Sequence, residues 1–297
     1  MTTEGFEGAR TAVVDGTTLA YVELGDGEPV VFLHGDISDL RTWEQQMAPI
    51  GAGHRVIAYS RRFFRPNEEG AAGADYTWPR HVDDLLVFLD ATKAAPAHLV
   101  GNSSGAYIAL LAAIRQPDAV RTLVLEEPPV MPLLMSTPPR PAGMLKLFAR
   151  TPRTAFSLMK YGVTVMVPAE KAFRRGDDDK GMKTFARGVL GGPAFFDRLS
   201  PARLRQIKDN VEPIKQQLLT GGLPPLADND LRRMSVPTLI VTGERTAAAM
   251  HPLMDRLQEL LPNVERVAVP NASHFMHEDN PQVLNKAILD FLDRHAS

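Results

Sequence analysis

The chain contains no cysteine in 297 residues. Disulfides, thiol nucleophiles and thiolate metal sites are excluded, while the redox compartment is left open. It also lacks an uninterrupted apolar run of the ~18 residues that a membrane-crossing helix needs. The opening segment, Met1-Thr2-Thr3-Glu4-Gly5-Phe6-Glu7, is acidic and polar. It is unlike a secretory signal, which favours the cytoplasm. Neither sign of charge dominates: 33 Lys and Arg stand against 35 Asp and Glu, a formal −2. That balance offers no basic footprint for nucleic acid or acidic lipid, so neither nucleic acid nor membrane is expected as a partner. No His, Asp and Glu spacing resembles a metal site, and Gly-rich phosphate loops and internal repeats are absent. Neither metal nor cofactor is expected.

What the chain does contain is an alternation of strand and helix signals, which argues for a mostly parallel sheet covered on both faces. Residues 11 to 24 read as a hairpin around Asp15-Gly16. Helices are predicted from Trp43 to Pro49, Arg80 to Lys93 and Ala106 to Arg115, the last ended by Pro117. After Glu127 the composition changes. Six prolines (128, 129, 132, 138, 139 and 141) precede helical segments at 145–150, 155–165, 169–175, 181–189 and 201–219. The strand signal returns at Pro237. The length suits one α/β domain with an insertion better than two independent domains. The expected division is a core of 1–129 and 235–297 with a helical cap over 130–234.

The sharpest local signal lies at residues 97 to 107. An apolar strand ends in Gly101-Asn102-Ser103-Ser104-Gly105 and turns at once into an Ala- and Leu-rich helix. G-x-S-x-G in this strand-turn-helix frame is a nucleophile elbow, whereas without the frame it is an ordinary turn. The turn is too tight for bulky neighbours, hence Gly101 and Gly105. Ser103 is thereby lifted to a helix N-terminus, where an anion is favoured. A serine hydroxyl needs a base, and the base needs an orienting group. Of eight histidines, His274 is best placed, in a polar loop beyond the short strand ending at Val269. His277 is its rival, and His34 reads as a structural or rim histidine. The plainer reading of His274 is a surface loop residue.

With these residues in view, the chain resembles an α/β-hydrolase of the large esterase, lactonase, dehalogenase and epoxide-hydrolase superfamily, nearly end to end. Pro29 to Asp36 resembles the third strand and its His-Gly oxyanion turn, and His54 to Tyr59 the fourth strand. Val120 to Glu126 is similar to the sixth strand, Val236 to Glu244 to the seventh, and the His274 loop to the one after the eighth. The resemblance implies an α/β-hydrolase fold, with a mostly parallel eight-stranded sheet, helices on both faces and a helical cap inserted after β6. It also implies that the backbone amides of Asp36 and Ser104 form the oxyanion hole. The Asp36 side chain is left with three readings: pointing away, capping the next helix, or touching a substrate hydroxyl.

The triad acid departs from the commonest pattern. Where most relatives carry Gly-x-x-Asp after β7, this chain reads Gly243-Glu244-Arg245-Thr246, and Thr246 bears no charge. Some relatives, including certain haloalkane dehalogenases and zearalenone-type lactonases, place the acid just after β6 instead. That arrangement matches Glu127. Alternation sends Glu126 and Glu127 to opposite faces, so one of them is expected to face the histidine. Glu126, Glu244 and Asp255 are the fallbacks, and two solvated carboxylates the plainer alternative. A paired acid at the top of an apolar run is costly to bury alone, which argues for a partner.

A serine at the elbow, where relatives that open epoxides or displace halide carry a carboxylate, points to acyl chemistry. The expected function is a serine hydrolase of the carboxylesterase or lactonase type. It would cleave the ester or lactone of a largely apolar small molecule through an acyl-enzyme. Two alternatives stay open: a ligand-binding protein on a hydrolase scaffold, and a carbon–carbon bond hydrolase or cofactor-free perhydrolase. A homodimer is left open. Trp43, Met131, Leu134, Phe148, Met159 and Phe275 are candidate substrate contacts. Leu133, Met135, Phe156, Tyr161, Phe185, Phe195 and Phe196 are further chamber candidates, though amphipathic cap helices bury such residues anyway. Arg61, Arg62 and Arg65 read as a grip for a substrate carboxylate, a partner for Glu126, or a solvated basic loop. Asp177-Asp178-Asp179 reads as a surface turn before it reads as a cation site.

Overall fold

A computed structural model describes residues 8–71, 73–220 and 222–296, with Phe195 described by its backbone alone. The opening heptapeptide and the Phe195 side chain singled out above therefore lie outside the described residues. Eight strands run β1 Arg10–Val14, β2 Thr17–Leu24, β3 Pro29–Leu33, β4 Arg55–Tyr59, β5 Ala97–Asn102, β6 Val120–Glu126, β7 Thr238–Gly243 and β8 Val264–Val269. They form one sheet in the order β1-β2-β4-β3-β5-β6-β7-β8. The β1–β2 and β2–β4 pairs are antiparallel and every later pair is parallel. The two-residue link at Asp15-Gly16, both at positive φ, closes the predicted hairpin.

Side chains of the central strands alternate between two cores, as a period of two requires. Val31, Leu33, Ile57, Leu99, Leu123, Leu125 and Ile240 join one cluster. Val30, Phe32, Val56, Val100, Val124, Leu239 and Val241 join the other. The helices are α1 Glu44–Gly51, α2 Trp78–Ala91, α3 Ser104–Arg115, then α4 Pro141–Arg150, α5 Pro152–Tyr161, α6 Val167–Arg174, α7 Asp178–Val189, α8 Pro193–Phe196, α9 Pro201–Asp209, α10 Val211–Thr220 and α11 Asp228–Arg233 between β6 and β7. After β7 come α12 Met250–Leu260, α13 Met276–Asp279 and α14 Pro281–Asp293. Residues of α2, α3 and α12 cover the first face, and residues of α1 and α14 the second. This is the α/β-hydrolase fold.

The helical insertion has its own apolar core of Phe173, Met182, Phe185, Ile207 and Ile214, which also takes in Ile37 and Phe275 from loops at the sheet edge. Several helix ends shift by a few residues from the sequence expectation, α8 and α11 were not expected, and two differences change how the helices are divided. The helix expected over 201–219 breaks at Asn210, whose side chain bonds to Asp39, to the Gln206 carbonyl and to the Arg65 N–H. An Asn that serves three such partners competes with the helix ladder. Conversely, α5 and α6 are joined through a π-helical turn at Gly162–Met166, so residues 152–174 form one continuous helix. Among the described residues, no helix is long and apolar enough to cross a membrane.

Candidate active site

The candidate residues lie beyond the carboxyl ends of β3 (Asp36), β5 (Ser103 and Ser104), β6 (Glu127) and β8 (His274). Ser103 sits between β5 and α3 with φ 52° and ψ −119°, a conformation that a non-glycine residue adopts only under constraint. The constraint is visible. The Ser103 N–H donates to the Glu126 carbonyl at 2.7 Å, and the Ser103 carbonyl accepts from Tyr107 N. A Cβ on Gly101 would meet the Ala106 amide nitrogen at 2.6 Å, and one on Gly105 the Leu33 carbonyl oxygen at 2.2 Å. Neither position tolerates a side chain. A Cβ on Gly35 would lie 3.3 Å from Ser103 Cβ, so the His34-Gly35-Asp36 turn runs directly beside the elbow.

Glu127 leaves β6 in the left-handed region (φ 48°) and is fully buried. Its Oε1 accepts from the Gly243 N–H at 2.9 Å. Its Oε2 accepts from Thr246 Oγ1 at 2.7 Å and from His274 Nδ1 at 2.6 Å. Three donors aimed at one carboxylate stabilise its charge and fix its direction. Thr246, at the position where the resemblance would place an acid, thus donates to Glu127. With Nδ1 on the carboxylate, Nε2 is the basic nitrogen of the His274 ring. The His274 carbonyl accepts from Asn102 Nδ2 at 3.1 Å, which ties this loop to the residue preceding Ser103.

Alternation separates the two acids as expected, and each finds a different histidine. Glu126 Oε2 accepts from His277 Nδ1 at 2.7 Å and from Asn102 Nδ2 at 3.3 Å. His277 Nε2 meets Thr42 Oγ1 at 3.0 Å, and Thr42 donates to Glu278 at 2.6 Å. The rival histidine therefore faces Thr42, not the elbow. The fallback Glu244 accepts from the Asn271 N–H, and Asp255 pairs with Arg266.

Asp36 does not cap the next helix. Its carboxylate accepts from Arg61 Nη2 at 2.9 Å, and the residue that caps the next turn is Asp39. Arg61 is buried and also donates to Ser104 Oγ at 3.1 Å and to the Gly35 carbonyl at 3.3 Å. One guanidinium thus joins the two loops that carry the Asp36 and Ser104 amides, and it neutralises the aspartate there. The solvated-loop reading fails for Arg61 and Arg62, because Arg62 forms a buried two-point pair with Asp84 at 2.6 Å. Nor does any of the three pair with Glu126. Burial holds the Arg61 guanidinium below its usual pKa, opposed by Asp36. His34 accepts from the Arg61 N–H through Nε2 and meets the Gly35 carbonyl through Nδ1. A ring used in that way is neutral. Burial and then the Arg61 charge push its pKa well below 6.5, and the same two causes act on His81.

That pair gives a stability prediction. Both histidines bind a proton more readily in the unfolded chain, so their contribution is fully present above about pH 6.5 and is lost as the pH falls below it. The thermal midpoint is expected to hold steady from pH 8 to 7 and to decline from about pH 6.5 downward. Scanning calorimetry across that range checks it; a midpoint unchanged at pH 5 would contradict it.

The candidate substrate contacts divide. Met131, Leu134 and Phe148 are half-buried against the core, with Leu133, Met135 and Tyr161. Phe275 is buried in the insertion core under the Arg203 guanidinium at 4.6 Å. Phe185 and Phe196 belong to that core too. Trp43 does not line a chamber. It is fully buried on the α1–α14 face, with ring centroids 4.8 Å from Phe32 and 4.7 Å from His277. Met159 and Phe156 are exposed on the outer side of the insertion, because their helix turns Ala155, Leu158 and Val165 inward instead. Asp177 caps α7, while Asp178 and Asp179 pair with Lys215 and Lys183, so the acidic run is a capped turn. No cluster of three or more His, Asp or Glu suited to a metal occurs among the described residues.

The profile of the Alpha/beta hydrolase family matches residues 30–287. The chain belongs to that family. Among its relatives is the 2-(acetamidomethylene)succinate hydrolase of Mesorhizobium japonicum, 24% identical, with 96% of this chain and 95% of that protein covered. Bifunctional epoxide hydrolase 2 of Sus scrofa is 22% identical over 95% of this chain, which spans about half (54%) of that protein. An esterase of Thermogutta terrifontis shares the fold, with a TM-score of 0.72, 21% identity, and coverage of 97% of this chain and 99% of that one.

Proposed function

We propose that the protein is a serine hydrolase of carboxylic esters or lactones with a largely apolar acyl or alcohol part. Ser103 Oγ attacks the carbonyl carbon as its proton passes to His274 Nε2. The carbonyl oxygen takes the electron pair and is held by the Asp36 and Ser104 N–H groups. Collapse of this intermediate breaks the C–O bond, and His274 returns the proton to the departing alkoxide. Water then repeats the sequence on the acyl-enzyme, with His274 again as base. Glu127 keeps Nδ1 protonated throughout and stabilises the imidazolium.

The observation that carries this reading is the 2.6 Å contact between His274 Nδ1 and a carboxylate also held by Gly243 and Thr246. It weakens the idle-scaffold alternative, which rested on the missing acid after β7. A hydroxyl at the elbow also sets this chain apart from epoxide opening, the chemistry named for its pig relative. A fluorophosphonate probe tests the reading. Stoichiometric labelling is expected at Ser103 and is expected to disappear in Ser103→Ala. Labelling elsewhere, or none in the folded protein, would overturn it.

A further inference from the structure

The continuous helix over residues 152–174 turns two different faces outward and inward. Ala155, Leu158, Val165, Ala169, Ala172 and Phe173 are buried against the rest of the molecule. Outward, Phe156 is 59% exposed, Met159 40%, Val163 63% and Val167 58%. Their spacings of three, four and four residues keep them on one side, a stripe about 15 Å long. On the neighbouring α4, Leu145 is 74% exposed. These are five of the eight large apolar residues exposed among the described residues, gathered on one arm of the insertion. An apolar stripe open to water on this scale marks a contact surface.

The charge around it says what kind. Residues 140–175 hold eight Lys and Arg and one acid, Glu170, in a chain whose formal net charge is −2. The balance of the whole chain conceals this. Lys146, Arg150, Arg153, Lys160 and Lys171 are all exposed, and none has an acidic partner within ion-pair distance among the described residues. Arg153, Lys160 and Lys171 lie on the same helix as the stripe. A second copy of the chain would bring two such cationic faces together in an isologous contact, so like charges oppose it. An apolar stripe fringed by unpaired cations suits a layer with an apolar interior and an anionic surface.

We propose that this arm docks the protein on the surface of an anionic lipid bilayer, with Phe156, Met159, Val163 and Val167 entering the boundary below the headgroups and the flanking lysines and arginines meeting lipid phosphates. The attachment is peripheral. It presents the helical insertion, and the elbow it lies near, to the phase in which an apolar ester concentrates.

Flotation with vesicles tests this directly. The protein is mixed with phosphatidylcholine vesicles, alone or with phosphatidylglycerol at about one lipid in three. Binding to the anionic vesicles is expected to be at least about tenfold tighter than to pure phosphatidylcholine, and to fall in about 0.5 M salt. Phe156→Glu/Val163→Glu is expected to lower it about tenfold or more, and Arg153→Glu/Lys160→Glu likewise. All four positions are exposed, so the variants are expected to keep the parent melting temperature. Ser103→Ala is expected to bind as the parent does, which separates this inference from the esterase reading. Protein that stays unbound at every lipid composition would overturn it. So would Glu variants that bind like the parent, or a dimer in solution that Phe156→Glu/Val163→Glu abolishes.

Discussion

Ser103→Ala is expected to lower kcat for a p-nitrophenyl ester by about 10⁵ to 10⁶, leaving only what the oxyanion donors and binding supply. The fold is expected to persist. Ser103 is only half-buried, and its strained backbone is held by main-chain bonds to Glu126 and Tyr107 that alanine retains. His274→Ala is expected to fall by a similar factor, because the two residues act as one unit, and the double variant is expected to be no worse than either single one. Steady-state rates on the three variants, with circular dichroism to establish folding, check this. Additive losses, or turnover near the parent in either single variant, would defeat the assignment.

Glu127→Gln is expected to cost about 10³ to 10⁴ in kcat. The reason lies in donor and acceptor bookkeeping at one buried group. The carboxylate accepts from Gly243 N, Thr246 Oγ1 and His274 Nδ1. An amide oxygen left on the Gly243 N–H turns its NH₂ toward Thr246 and the imidazole, donor against donor. The ring then escapes by carrying its proton on Nε2, where it no longer accepts one from Ser103. Glu126→Gln makes the contrast. Its partners are His277 and Asn102, and His277 meets Thr42. That variant is expected to lose roughly 1–3 kcal/mol of stability through its buried pairing, and less than about tenfold in kcat. Equal losses in the two would place the acid wrongly.

Much of the fold was legible because its signals are local. Strand-turn-helix around Ser103 needs only apolar run, glycines and helix formers, and Asp15-Gly16 needs only two residues at positive φ. The pairing of Glu127 with His274 could be read because strand alternation separates Glu127 from Glu126 and a resemblance supplied the rest. What was not legible depends on partners far along the chain. Thr246 reads as a lost acid until Glu127 is placed 119 residues away beside it. Arg61 reads as a solvated loop cation until Asp36, Gly35 and Ser104 close around it. Asn210 gives no hint of a break, since the break follows from Asp39 and the Arg65 amide. For Phe156 and Met159, helical spacing shows that a face is apolar but not which side meets the rest of the molecule. Trp43 follows the His34-Gly35-Asp36 turn closely in sequence, yet it packs on the α1–α14 face of the sheet, against Phe32.

At the centre stands the 2.6 Å contact between the His274 imidazole and the Glu127 carboxylate just beyond the sixth strand. Nuclear magnetic resonance on protein carrying ¹⁵N-labelled histidine observes it directly. Two strongly deshielded ring N–H signals are expected, one from His274 on Glu127 and one from His277 on Glu126, given contacts of 2.6 and 2.7 Å. Glu127→Gln is expected to remove the first and keep the second, and Glu126→Gln to do the reverse. A His274 signal that survives Glu127→Gln unchanged would contradict the account.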